Sequence, residues 1–279
     1  MSKKKKKNRR EPETLELSCV GVETHAHLDL EDFDEDREEL LERARACGVS
    51  AIGNVFLGPD AFERNRTLFD AHPEVFFLLG IHPNNTDRCT DDDLERMRAH
   101  FKAEPRLLAV GEIGLDFYWD HVPHDVQAEA FVRQLHMARE LGKPVVIHSR
   151  DAHERTVEIL EAEGFRDYPV LWHCFGGDAG FAARVVSNGW MVSVPGPVTF
   201  NKNVETQAAV ASVPLDRLVL ETDCPYLTPE PWRGKRNHPA LVVFTAEKVA
   251  LLKAISVQDL WRITGENARR FFGLEKLAY

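Results

Sequence analysis

Residues 22–29 of this chain, Val22-Glu23-Thr24-His25-Ala26-His27-Leu28-Asp29, place two histidines one residue apart at the end of a short apolar segment. Successive side chains of a β-strand point to opposite faces, so His25 and His27 should lie on the same side. Two neutral imidazoles directed at one point can bind the same cation. So short a pattern also occurs by chance in surface loops. The metal interpretation therefore depends on ligand-type residues at equivalent places in the fold.

Apolar, β-branched segments recur along the chain and alternate with segments of helical periodicity. Strands are predicted at 19–23, 50–56, 75–80, 107–112, 144–148, 169–172, 190–193 and 217–221, and helices at 37–46, 60–71, 91–101, 124–141, 152–163 and 179–187. Further helices are predicted within 239–273, where they would close the fold. This alternation predicts an α/β fold, the (β/α)₈ TIM barrel. A doubly wound open sheet is the alternative, but no GxGxxG motif follows the first strand.

Length and composition fit a globular protein. The 279 residues, 43% of them hydrophobic, suffice for one large domain or two small ones. No apolar run approaches the ~18 residues that span a bilayer, and no apolar segment follows the basic N-terminus as in a secretory signal. The five cysteines are scattered without a CxxC pair, which favours a reducing compartment. We expect a cytoplasmic protein without a membrane segment, and nothing argues against a monomer.

Charge divides the chain unevenly. Seven of the 35 lysines and arginines fall in residues 1–10, so residues 11–279 carry 28 basic and 45 acidic side chains, a net charge of −17. We predict a basic, disordered tail over residues 1–16 and a single domain over residues 17–279. The tail would attract nucleic acid weakly and in a salt-sensitive way. The acidic domain argues against a broad duplex-binding surface, so a polyanionic substrate would need cations at the site itself.

Six side chains that can bind metal fall at the C-terminal ends of five predicted strands. They are His25, His27, Glu112, His148, His173 and Asp223. A closed parallel barrel brings these strand ends into one ring. Each residue alone has an ordinary alternative, as a hydrogen-bonded residue at a strand end or a cap of the next helix. Their shared position favours a metal centre.

The ligand set also limits the metal and the chemistry. Mixed histidine and carboxylate ligands suit Zn²⁺, Mn²⁺ or Fe²⁺, and Mg²⁺ less well. Six ligands are too many for one tetrahedral site, which predicts two divalent ions, Mg, Mn or Zn, roughly 3.5–4 Å apart with Glu112 between them. Such a pair activates water and stabilises the attacking and leaving oxygens. Hydrolysis of a phosphodiester is the most natural reaction, although an ester or amide would also be polarised.

Seven motifs carry a family resemblance. In chain order they are VETHAHLD, LGIHPNN, AVGEIGLDFY, PVVIHSRDA, HCFGGD, ETDCPYLTP and RGKRNHPA, which extend from Val22 to Ala240. Together they resemble the TatD family of metal-dependent deoxyribonucleases, which have amidohydrolase-type barrels. The chain departs from the family pattern at Asn84, Gly176 and His238, where His, Ser and Glu are common. None of these three is a predicted ligand, but the departures leave the substrate open.

The resemblance implies specific roles. One ion would be held by His25, His27, Glu112 and Asp223, and the other by Glu112, His148 and His173. Asp223 would also handle the proton of the attacking water. The implied reaction is hydrolysis of DNA phosphodiester bonds, exonucleolytic and favouring single strands.

Four further residues are predicted to contact the substrate. His82 would face the site from the third strand end, with helix capping or packing as its alternative. The planar guanidinium group of Arg150 suits the binding of phosphate oxygens. The alternative is an ion pair between Arg150 and Asp151 or Glu154. Lys235 and Arg236 belong to a basic loop after the eighth strand, which is either an edge for a nucleic-acid backbone or a solvated loop.

Other residues near the ligands are not assigned to the site. Tyr118, Trp119 and Phe117 could stack an unpaired base, but packing is the commoner role of aromatic residues after a strand. Cys174 and Cys224 adjoin predicted ligands and are interpreted as buried spacers.

Two other functions stay open. One is a metal-dependent esterase or amidase acting on a small molecule or on aminoacyl-tRNA. The other is a binding module that keeps the metals for structure or tethers nucleic acid through the tail. An apparently complete set of reactive groups speaks against the binding module.

Overall fold

The computed structural model describes residues 9–276, and within them eight parallel strands form one sheet in the order β1 to β8. The strands are β1 Gly21–Ala26, β2 Val49–Leu57, β3 Val75–Gly80, β4 Leu107–Asp116, β5 Val145–Arg150, β6 Val170–Trp172, β7 Met191–Val194 and β8 Leu218–Leu220. Between β1 and β8, the sheet closes through the residues at and just after the strand ends. The amide of His27 donates to the carbonyl of Cys224, and that of Asp223 donates to the carbonyl of His25, each over 2.9 Å. The predicted TIM barrel is confirmed.

Nine α-helices surround this sheet in the described part of the chain. They are α1 Arg37–Ala46, α2 Pro59–Asn65, α3 Asp91–Ala103, α4 His124–Leu141, α5 His153–Ala162, α6 Ala179–Ser187, α7 Val204–Ser212, α8 Val242–Lys253 and α9 Val257–Phe272. The predicted helix over 60–71 ends early, at Asn65, and continues as a 3₁₀ turn, Arg66–Phe69. Helix α7 was not predicted, because Val204-Glu205-Thr206 opens it with two β-branched residues. Across residues 9–276, every helix is too short or too polar to cross a membrane.

Strands β1, β4 and β5 run beyond their predicted ends. His25 and His148 consequently lie within strands, and Glu112 lies in the middle of β4. Strand β4 continues because its residues 113–116 still pair with β5. Gly114 makes this pairing possible, since it has φ +142° and an added Cβ would meet the carbonyl oxygen of His148 at 2.0 Å. Only glycine adopts this conformation at so close an approach.

The barrel interior below the site is apolar. Val146, Leu171 and Val219, from β5, β6 and β8, belong to one buried cluster. Phe272 and Leu274 join the same cluster from the end of the chain, at the C-terminus of α9 and in the turn after it. Because side chains alternate along a strand, residues two positions further on lie on the same face, one layer higher. That layer begins with His148, His173 and Glu221.

The described part of the predicted tail packs on the barrel. Arg9 donates to the carbonyl of Pro231 over 3.2 Å, and the indole of Trp232 donates to the carbonyl of Arg10 over 2.9 Å. Pro12–Leu15 forms a 3₁₀ turn, and Glu13 pairs with Arg43 of α1 at 2.6 Å. Residues 9–16 therefore contact the domain that was predicted to start at residue 17. Residues 1–8 lie outside the described residues, and their disorder stays a prediction.

Candidate metal centre

Glu112 lies at the centre of the predicted ligands. Its Oε1 is 2.6 Å from Nδ1 of His148 and 3.4 Å from Nε2 of His173, and its Oε2 is 3.4 Å from Nε2 of His25. The Glu112 side chain is only 5% exposed. One carboxylate thus faces histidines from three different strands, as a bridging ligand would.

Asp223 completes the ring on the β1 side. Its Oδ1 is 3.4 Å from Nε2 of His27 and 3.9 Å from Nε2 of His25. The Asp223 backbone is left-handed, with φ 57°, a conformation that aspartate tolerates better than most residues. The structure therefore brings together all six predicted ligands, although they are spread along the sequence from residue 25 to residue 223.

The donor set fits a cation. Both ring nitrogens of His25 are buried and have no hydrogen-bond partner among the described residues, although buried polar atoms are normally paired. The His25 ring stacks on that of His173 with centroids 3.5 Å apart. Unpaired imidazole nitrogens beside two carboxylates are the arrangement that Zn²⁺ or Mn²⁺ would satisfy. The residues present thus suit a divalent metal ion.

The protonation of these groups reflects their mutual charges. Burial lowers the pKa of His173, but the carboxylates of Glu221 and Glu112 outweigh burial and raise it to about 10. The same balance, with Glu112 and Asp116 as partners, raises the pKa of His148 to about 8. Burial opposes ionisation of Glu112 too, yet the facing histidines hold its pKa well below the ordinary value. Without metal, ionised Glu112 thus faces protonated His148 and His173, whereas burial lowers the pKa of His25.

Two buried glutamates that sequence reasoning missed support the histidines from below. Glu221 accepts from Nδ1 of His173 over 2.9 Å, from the amide of Cys174 over 2.8 Å and from the hydroxyl of Ser193. Glu23 accepts from the amides of His25 and Thr222 over 2.8 and 3.0 Å. Each glutamate precedes a predicted ligand by two positions in the sequence. Burying a carboxylate within an apolar strand costs free energy unless the carboxylate is paired. A glutamate in a predicted apolar strand was therefore the signal that could have identified both residues.

Asp116 is a third carboxylate that was missed. It accepts from Nε2 of His148 over 3.1 Å and from the amide side chain of Asn84 over 3.2 Å. Burial raises the pKa of Asp116, but the hydrogen bond and charge of His148 outweigh it and lower the pKa to about 2. Asn84, one of the departures from the family pattern, thus helps to hold the carboxylate that orients His148.

The centre opens into a cleft of about 630 Å³ that His82 and Arg150 help to line. Nδ1 of His82 accepts from the amide of Asn84 over 3.2 Å, so the ring proton lies on Nε2, which is 3.8 Å from Oε1 of Glu112. Burial lowers the pKa of His82 to about 4. His82 therefore caps the following turn and also presents a neutral N–H donor to the site. Arg150 makes neither alternative ion pair; its guanidinium lies on the Tyr118 ring at 3.7 Å.

The structure does not bring Lys235 and Arg236 into the cleft. Neither residue lines it. Arg236 is engaged elsewhere, because its guanidinium donates to the carbonyl of Asp32 and pairs with Asp36. Lys235 is exposed on the same loop. A direct contact of these two side chains with a substrate at the metal centre is not favoured by this geometry.

The two cysteines beside the ligands differ from each other. Cys224 is fully buried, as expected of a spacer. Cys174 is only partly buried and lines the cleft, because its φ of 48° turns the chain at the end of β6. Burial, followed by the charge of Asp223, raises the pKa of the Cys174 thiol well above its ordinary value. A neutral thiol is a poor nucleophile, which does not favour Cys174 as the attacking group.

Comparison with known proteins agrees with this architecture. The sequence model of the family described as TatD related DNase matches residues 22–273. The chain belongs to the TatD family. It is 39% identical over 250 residues to the uncharacterized metal-dependent hydrolase YabD of Bacillus subtilis, and the match covers 90% of this chain and 98% of that protein. The crystal structure of the TatD homolog YJJV of Escherichia coli superposes with a TM-score of 0.85 at 28% identity, covering 91% of this chain and 98% of that one.

A further TatD relative carries a more specific name. The 3'-5' ssDNA/RNA exonuclease TatD of Erwinia tasmaniensis is 32% identical over 263 residues, which cover 91% of this chain and 99% of that protein. The family membership confirms the resemblance drawn from the seven motifs. It also confirms the predicted class of enzyme, a metal-dependent hydrolase.

Proposed function

We propose that this TatD protein hydrolyses DNA phosphodiester bonds, removing nucleotides from single-stranded ends with water activated by two metal ions. The observation that carries the proposal is the convergence of four histidines and two carboxylates at the floor of an open cleft. The name of the Erwinia relative, a single-strand exonuclease, supports the choice of substrate. We further propose that the enzyme acts as a cytoplasmic monomer, and that residues 17–279 form a single metallohydrolase domain.

The ligands divide naturally into two sets around Glu112. His25, His27 and Asp223 lie on one side of its carboxylate, and His148 and His173 on the other. A pair of divalent cations bound there would lower the pKa of water and neutralise charge on the phosphoryl oxygens. This is the chemistry that a phosphodiester requires, since its reaction proceeds with negative charge on attacking and leaving oxygens.

The side chains of the cleft supply the remaining functions. Asp223 is 15% exposed and borders the cleft, so its free carboxylate oxygen can accept the proton of the attacking water. The Nε2–H of His82 and the guanidinium of Arg150 donate to non-bridging phosphate oxygens. Leu57 and Leu227 contribute apolar surface to the same cleft, which limits access of bulk water.

Nuclease activity can be tested with protein stripped by a chelator and reloaded with Mg²⁺, Mn²⁺ or Zn²⁺. Release of nucleotides from end-labelled single-stranded DNA should appear with at least one ion. Asp223→Ala and His148→Ala should abolish it, because each removes a ligand that faces Glu112 or its partners. His136→Ala is the matched control, because His136 lies on α4 and pairs with Glu163 outside the cleft.

The outcome also separates the proposal from its alternatives. Turnover that persists in Asp223→Ala would contradict the assignment of the site. If no ion supported DNA hydrolysis while model esters or aminoacyl-tRNA were turned over, the esterase alternative would replace the nuclease. Metal-dependent DNA binding without turnover would instead favour a binding module.

A further inference from the structure

Two exposed aromatic residues stand beside the cleft, on the loop that follows β4. Tyr118 and Trp119 are 53% and 47% exposed. Their rings meet edge to face with centroids 4.9 Å apart. Phe117, the residue before them, stacks on His124 at 3.7 Å and packs against the core. The loop therefore buries one aromatic ring and presents the next two to solvent, which packing does not explain.

Tyr118 and Trp119 are fixed relative to the metal centre. The guanidinium of Arg150 lies 3.7 Å from the centre of the Tyr118 ring, and the same side chain lines the cleft. Asp116, which accepts from His148, also accepts from the amides of Tyr118 and Trp119 over 3.1 and 3.3 Å. One carboxylate thus orients a predicted ligand and the aromatic pair together. We call Tyr118, Trp119 and Arg150 the aromatic rim.

The surroundings of the cleft differ in charge. Tyr226 borders both the cleft and a neighbouring groove. Four carboxylates line that groove, those of Asp29, Glu31, Asp32 and Asp34, against one guanidinium, that of Arg64. These carboxylates repel a phosphate backbone. The aromatic rim offers the Arg150 guanidinium, and two carboxylates adjoin it in the sequence, those of Asp120 after Trp119 and Asp151 after Arg150. A polyanion that leaves the metal centre therefore meets less negative charge over the aromatic rim than along this groove.

We propose that the aromatic rim is a stacking subsite for an unpaired base next to the phosphate in the cleft. This inference rests on the proposed function. Aromatic side chains stack bases of any sequence, and arginine adds a contact to the phosphate backbone. A base inside a duplex has both faces covered by its neighbours, so the subsite selects single strands. The rim thereby gives a physical basis for single-strand preference in a domain with an acidic surface.

The test compares binding of two fluorescent oligonucleotides with hydrolysis-resistant phosphorothioate linkages. One carries thymine bases, and the other carries abasic residues on the same backbone. The Tyr118→Ala/Trp119→Ala double variant should raise the Kd for the thymine strand by roughly 5- to 100-fold and leave the abasic strand unaffected. Tyr118→Phe/Trp119→Phe keeps the rings and should bind like the wild type. Leu251→Ala, at a residue of α8 that is 74% exposed, is the surface control.

Three results would overturn the subsite: an unchanged Kd in the double alanine variant, an equal loss on both strands, or no detectable binding of either strand by the wild type. Hydrolysis of unmodified DNA, measured in parallel, separates this inference from the proposed function. A base-dependent loss of binding in a protein that hydrolyses no DNA would support the subsite and refute the nuclease. Normal hydrolysis of DNA together with an unchanged Kd in the double alanine variant would support the nuclease and refute the subsite.

Discussion

Replacing Glu221 by glutamine should weaken metal binding, although Glu221 touches no predicted substrate. Glu221 accepts three hydrogen bonds, from His173, Cys174 and Ser193. Glutamine has one acceptor oxygen and one donor group. If its oxygen faces the Cys174 amide, its NH₂ faces Nδ1 of His173, and the ring proton must move to Nε2, the nitrogen directed at the metal centre. If the amide is reversed, its NH₂ meets the amide of Cys174.

The expected loss of metal affinity in Glu221→Gln follows from the orienting role of the Glu221 carboxylate. Loss of a group that holds a metal-binding histidine typically costs 10- to 100-fold in metal affinity, or about 1.4–2.7 kcal/mol. The assay is competition between the metal-stripped protein and a chromogenic chelator for Zn²⁺. The matched control is Glu163→Gln, which alters a Glu–His contact of 2.7 Å with His136 at the surface. Equal Zn²⁺ affinities of Glu221→Gln and Glu163→Gln would show that Glu221 does not orient His173 for metal binding.

Three further predictions concern protons and the backbone. The pKa values of His148 and His173 are raised to about 8 and about 10 without metal, so metal binding at pH 7 should release on the order of two protons. Calorimetry in buffers of different ionisation enthalpy measures this release. Binding heats that do not depend on the buffer would contradict it. Both pKa values exceed the unfolded value of about 6.5, so the folded state binds more protons above it. The metal-free protein should therefore lose stability as the pH rises from about 6.5 to about 10, with the contribution of His148 lost by about pH 8 and that of His173 by about pH 10. A Tm that increased over this range would be inconsistent with the two assignments. Gly114→Ala should destabilise the protein by roughly 2–4 kcal/mol in urea unfolding, since its Cβ would meet the His148 carbonyl at 2.0 Å; a stability within ~0.5 kcal/mol of the wild type would show that β4 can shift away.

The ligand ring could be predicted because two simple rules apply to it. Parallel strands end on one face of a barrel, and side chains alternate along each strand. His148 and His173 therefore had to lie together once β5 and β6 were recognised. The same alternation contained the positions of Glu23 and Glu221, two residues before His25 and Asp223. They were overlooked because a carboxylate inside a strand gives no periodic signal of its own.

Other features depend on contacts between distant parts of the chain. Arg236 is held away from the cleft by Asp36, which lies 200 positions earlier in the sequence. Residues 9–16 pack on the domain because Pro231 accepts a hydrogen bond from Arg9 and Trp232 donates one to Arg10, contacts that the charge of this segment did not indicate. The exposure of Tyr118 and Trp119, in contrast with Phe117, depends on where Asp116 anchors the loop. Such contacts arise from tertiary packing, which local patterns do not encode.

We propose that six side chains hold two divalent ions that share Glu112. The most direct test is the metal content of the protein after equilibrium dialysis against Zn²⁺ or Mn²⁺, measured by elemental analysis. We expect about two ions per chain for the wild type and for His136→Ala. Glu112→Ala should retain neither ion at the same free metal concentration, because both sets of ligands lose the carboxylate between them. A wild-type protein that binds no ion, or a Glu112→Ala variant that keeps both ions, would contradict a two-ion site that shares Glu112.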